Sequence, residues 1–284
     1  MAHGGHEALT WPRAVSGVAL IAGFYSLMEL LPIGAPGANV ALTVASGLVL
    51  AIAIVWVAVQ MRTDHRTQFV VWFALVFLNL AAVAAEGTLF APELAPPASL
   101  AANVTRLLVA STAVGAVAAG LFGVAGGVRT GAASRPLNDW VWRLLTVAAV
   151  YVALYFVIGG INYSLVTRPY YESRAASLTV PSALTLFLCE PIRGLLIALS
   201  VLPLTLALRL RTRTVAAIAG LMLFVVGGLV PLLPQTSLPV YLRVASLWEI
   251  FGQNFLTGVV CALLFVRHGQ GMMDAPAPEG MRPA

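Results

Sequence analysis

Apolar residues run along this chain in long, nearly unbroken blocks, without the strict two-residue alternation of a half-buried strand. Each block is about 20 residues long, the length of helix that crosses a bilayer. Eight such blocks occur, at 12–32, 39–61, 68–89, 101–125, 140–161, 180–208, 214–233 and 243–266. Backbone polar groups in lipid must be satisfied within the structure, so only helices and closed barrels span it. These blocks are too long and too evenly apolar for barrel strands. The pattern predicts an all-α, polytopic integral membrane bundle of about eight transmembrane helices over 12–266. A short cytoplasmic tail at 1–11 precedes it, and a disordered cytoplasmic tail rich in Pro, Gly and Met follows at 269–284. The first block reads as a retained anchor, because Arg13 is the only basic residue near it and no small-x-small cleavage site follows.

Composition agrees. Of 284 residues 60% are hydrophobic and only 10% charged, against about 25% charged in an ordinary soluble domain. Mean hydropathy is +0.92. The sequence has no lysine, so all 16 basic residues are arginine. That excludes a retinal Schiff base and a phosphate loop ending in Lys. A GC-rich genome accounts for the missing lysines. The excess positive charge fits cytoplasmic loops rather than nucleic-acid binding. Cys189 and Cys261 sit in apolar blocks and read as small buried hydrophobes.

Eight crossings put both ends on one side. Arg13, Arg62, Arg66, Arg129, Arg135, Arg143, Arg209, Arg211, Arg213, Arg267 and Arg282 fall on that side. Arg106, Arg168, Arg174, Arg193 and Arg243 fall on the other side or within the membrane. The bias makes both termini cytoplasmic in a multi-pass protein of the cell membrane. Residues 47–67 also align without gaps to 194–214. Gly47 matches Gly194, Leu48 Leu195, Ala51 Ala198, Arg62 Arg209, Arg66 Arg213 and Thr67 Thr214. Two more blocks follow each segment, which suggests two four-helix halves, 12–128 and 139–266, related by an axis along the membrane normal. In the fourth block Gly115, Ala119, Gly123 and Gly127 recur every four residues, a surface for close helix packing. Gly159-Gly160 and Gly227-Gly228 mark flexible points or tight contacts.

The candidate chemistry lies in charges placed inside the apolar blocks: Glu29, Glu86, Arg106, Glu190, Arg193, Arg243 and Glu249. Each costs about 2.5–3.5 kcal/mol on insertion scales, so such groups face a partner or a wet cavity. All seven fall in the half of the membrane away from the termini. Glu190 and Arg193, three apart on one helix face, flank Pro191, which frees the Phe187 carbonyl and kinks the block. Thr179 is placed to cap that helix. Ser246, Glu249, Gln253 and Thr257 form a helical stripe with Asn254 beside it. Asn79 and Glu86 form another, as do Tyr151, Tyr155 and Asn162. The stretch 162–178, with Arg168, Glu172, Arg174 and three tyrosines, reads as an outer loop, a lid or an interfacial anchor.

No histidine and no aspartate lies within a block, so haem held by two histidines, a helix-borne zinc site and a paired-aspartate protease all lack their ligands. No cofactor or metal is implied. Three readings stay open. A small-solute transporter would bind its solute at Glu190, Arg193, Glu249, Gln253, Asn254, Glu86 and Glu29, with Arg193 on an anionic group and Glu190 or Glu249 carrying a proton. A non-catalytic membrane subunit or sensor would use the same charges only to fix packing. A lipid-modifying enzyme would use an outer-leaflet carboxylate as general base.

Overall fold

The structure, a computed structural model, describes residues 11–31, 39–93, 95–127, 135–173 and 178–266. Among these residues there are helices and turns and no β-strand. Eight helical segments are long and apolar enough to cross a membrane, and the chain is a multi-pass membrane protein. They are α1 (Trp11–Leu30), α2 (Val40–Ala58), α3 (His65–Phe90), α4 (Leu100–Phe122), α5 (Leu137–Glu172), α6 (Ala183–Ala207), α7 (Thr212–Leu232) and α8 (Val240–Phe265). The N-terminal stretch 1–10, the tail 267–284 and Arg129, Arg174, Arg267 and Arg282 lie outside the described residues.

Local chemistry sets several helix ends. Asn39 accepts a hydrogen bond from the Leu42 amide and Asp64 from the Thr67 amide, each starting a helix. At α6 the capping residue is Ser182, which accepts from the Thr185 amide, and not Thr179. Thr179 instead donates its amide to the Phe90 carbonyl and its hydroxyl to that of Leu89, tying the α5–α6 connection to the end of α3. The fifth span also differs from its expected 140–161. It stays helical to Glu172, so the first part of the expected outer loop is helix. At about 1.5 Å per residue its 36 residues far exceed the roughly 30 Å hydrocarbon core. Its last turns therefore stand beyond the apolar layer, where Arg168 pairs with Glu172 at 2.7 Å. Its first turn includes Asp139, which holds Arg143 at 3.0 Å and Arg135 at 3.6 Å.

The packing repeats a pattern. Helix α1 packs on α2 and α4, and α3 on α4; likewise α5 packs on α6 and α8, and α7 on α8. Between these sets α3 packs on α6 and α2 on the end of α7. Close contacts recur with the pattern. A Cβ on Gly47 would sit 3.0 Å from the Ala22 carbonyl, and one on Gly194 3.1 Å from the Ala148 carbonyl. Tyr25 and Tyr151, each three residues further along, are buried at 3% and 0% exposure. The small residues of α4 face α3: a Cβ on Gly115 would meet Phe69 and one on Gly123 would meet His65. Gly123 already ends α4, and Gly127 lies beyond it against the backbone of Thr63 and Asp64. The stripe is a packing seam.

A charged cavity between α3, α5, α6, α7 and α8

The membrane face opposite the chain ends carries a cavity of about 250 Å³. Its walls come from the end of α3, the middle of α5, α6, the end of α7 and the first half of α8. Ala95, Leu178 and Gln235 from the connecting segments line its mouth, with Tyr171 from the protruding end of α5.

Two helices reach this cavity through π-helical turns, Tyr155–Gly159 in α5 and Val225–Leu229 in α7. A π turn inserts a residue, shifts the register of the helix beyond it and recurs at functional sites. Tyr155 and Gly227, one from each turn, line the cavity. The glycines serve close approach. A Cβ on Gly159 would lie 2.9 Å from Glu249 Oε1. One on Gly227 would collide with Asn79 Oδ1 and stand 3.0 Å from Asn254 Nδ2.

Arg193 is the cation of the site. Its Nη1 donates to Glu86 Oε1 and lies 3.7 Å from Glu190 Oε2. Its guanidinium carbon stands 5.6 Å from the Tyr151 ring centroid. Sequence spacing singles out the Glu190–Arg193 pair, but the hydrogen-bonded partner is Glu86, on another helix. Glu190 is buried behind the wall at 1% exposure, and its Oε2 has no hydrogen-bond partner. Glu249 opens on the cavity. It accepts from Asn162 Nδ2 at 2.5 Å and from Gln253 Nε2 at 3.1 Å. Among the described residues no arginine stands in ion-pair range of it.

Of the expected binding residues, Glu86, Arg193, Glu249 and Gln253 line the cavity. The other three do not line it: Glu190 stands behind the wall, and Glu29 and Asn254 lie elsewhere. Glu29 sits on α1, which packs on α2 and α4 and does not reach the α3–α6–α8 junction. There it pairs with Arg106 at 3.4 Å. Asn254 turns toward α7 and donates to the Leu223 carbonyl at 3.0 Å. Arg243 reaches the Leu233 carbonyl at 3.5 Å. The rings of Phe90 and Tyr171, packed edge to face 6.4 Å apart, also line the cavity and were not expected in the site. Carboxylates, a guanidinium and aromatic faces line one cavity. No protein-family model, curated protein or solved structure matches the chain.

Proposed function

We propose that the chain is a small-solute transporter of the permease kind, in the cell membrane, with its chain ends in the cytoplasm. The observation that carries this reading is the cavity itself. Glu86 of the first half and Arg193, Glu249 and Gln253 of the second line one chamber of about 250 Å³ within the membrane-spanning bundle. Ion pairs kept only for packing have no need of a chamber beside them, and the separate Glu29–Arg106 pair, which does not line it, fits that structural role.

The halves supply a way to move. The matching neighbour relations support two four-helix units around an axis along the membrane normal, with the site where they meet. Beside the apolar packing of α3 on α6, two polar contacts join the units. Arg193 of α6 holds Glu86 of α3, while Ser46 of α2 donates to the Val230 carbonyl of α7 at 2.7 Å. Ser46 and Arg193 occupy equivalent places, one residue before the aligned Gly47 and Gly194. Rocking of one unit against the other would break and remake these two contacts and switch access to the chamber. Arginines crowd the face of the chain ends at Arg62, Arg66, Arg209, Arg211 and Arg213, which supports its cytoplasmic placement.

Flux tests the proposal. Proteoliposomes are offered a panel of small radiolabelled amines, carboxylates and zwitterions. Uptake of at least one solute is expected, and Glu249→Gln, which removes the carboxylate charge at the cavity, is expected to abolish it. No uptake across the panel contradicts transport.

A further inference from the structure

The charges around the cavity do not cancel. Glu86 and Glu190 share Arg193, while Glu249 faces the chamber with only the neutral amides of Asn162 and Gln253 against it. A carboxylate held in a membrane chamber without a cation favours a cationic occupant. The walls suit one. The rings of Phe90, Tyr155 and Tyr171 line the same space, and aromatic faces attract ammonium groups.

Arg193 supplies an independent observation. Its side chain is 8% exposed and lines the cavity. Nη1 makes both carboxylate contacts, and Nε is buried with no hydrogen-bond partner. Nε is walled in by protein, but Nη2 also makes no hydrogen bond to the described residues and is the donor left to the cavity that Arg193 lines; buried donors normally find an acceptor.

We propose that the solute is a short amino-zwitterion, an ammonium compound with an oxygen acceptor a few bonds away. The ammonium group sits at Glu249 among the rings, and the acceptor oxygen takes the free Nη2 N–H of Arg193. This rests on the reading of the cavity as a solute site. It also revises the expected role of Arg193, whose charge is already matched by Glu86 and which contributes a directed donor.

Calorimetric titration of the full chain, purified in detergent, tests the class with three probes of similar size. β-Alanine carries both groups, propylammonium only the ammonium and propionate only the carboxylate. β-Alanine is expected to bind tightest, with propylammonium next and propionate weakest. Glu249→Gln is expected to weaken β-alanine by about tenfold or more, the scale of one lost charge-assisted hydrogen bond. Glu249→Asp, which keeps the charge, is expected to restore most of the affinity and so separates lost binding from lost folding. Propionate binding as tightly as propylammonium overturns the proposal, as does a failure of β-alanine to bind. Binding is read here without flux. Amine flux with no affinity for β-alanine would refute the zwitterion and leave transport standing. Tight binding without uptake would refute transport and leave the ligand class standing.

Discussion

Arg193→Ala is expected to destabilise the protein by about 3–5 kcal/mol, the usual result of removing one partner from a buried ion pair. The substitution leaves Glu86 and Glu190 without a cation, and Glu190 is 1% exposed. It also strips the guanidinium from the face of Tyr151, whose hydroxyl already lacks a partner. The bridge joins α6 to α3, so the contact between the two four-helix units loosens first. Thermal or denaturant unfolding in mild detergent reads the effect. Adding Glu86→Gln to Arg193→Ala should recover part of the loss, because it removes one orphaned charge. Set against the Glu86→Gln single variant, that recovery gives the coupling of the pair. Arg193→Lys should fall between, since it keeps a charge for the two carboxylates that Nη1 now contacts but loses the planar guanidinium. A melting temperature unchanged by Arg193→Ala would mean that the bridge carries no stability.

Gly258→Ala is expected to cost about 3 kcal/mol, the upper end of what overpacking does in a close-packed interior. Helix α8 crosses α7 with Gly258 against Gly220. A methyl group on Gly258 would lie 2.6 Å from the Ala219 carbonyl carbon and collide with the Gly220 backbone. The reciprocal change meets the Phe255 carbonyl at 2.8 Å. Backbone cannot rotate away as a side-chain tip can, so the helices must separate along the seam and lose contacts on both sides of it. Gly23→Ala and Gly120→Ala give the comparison. Nothing stands within 4 Å of a Cβ at either position. Alanine favours helix over glycine there by about 1 kcal/mol, so these variants should melt at or above the parent temperature. Equal melting of all three variants would show that the seam adds nothing to stability.

The spans were legible because their signal is local. A run of apolar residues long enough to cross a bilayer needs no knowledge of its neighbours, and α1, α2, α3 and α8 begin and end within about three residues of the expected bounds. The errors fall where local signals compete. Beyond Ile161 the residues turn polar and aromatic, which reads as a loop, yet π turns and an i,i+4 ion pair carry the helix to Glu172. Pro181 drew the expected start of α6 toward Thr179, but the oxygen that reaches the free amide belongs to Ser182. At the site the sequence identified the charged residues and one of the two pairings, Glu190 with Arg193 at 3.7 Å, and missed the other. Glu190 and Arg193 share a face through (i, i+3) spacing, whereas the Glu86–Arg193 bond depends on how α3 and α6 register across the bundle, which no periodicity records. For the same reason Glu29 looked equivalent to Glu86 by depth and charge, though the contacts of α1 keep it elsewhere. Tyr171 read as an interfacial anchor because it lies past the apolar block. It reaches the chamber because α5 is longer than that block.

Access to the chamber is the most direct test. In a background with Cys189 and Cys261 replaced by Ser and Ala, Gln253→Cys places a thiol on the cavity wall halfway along α8. A membrane-impermeant maleimide is applied to sealed vesicles of either orientation. Reaction from both sides is predicted, faster from the face opposite the chain ends, where the cavity mouth lies. A thiol that reacts from one side only, or from neither, would contradict a chamber that alternates between the two faces.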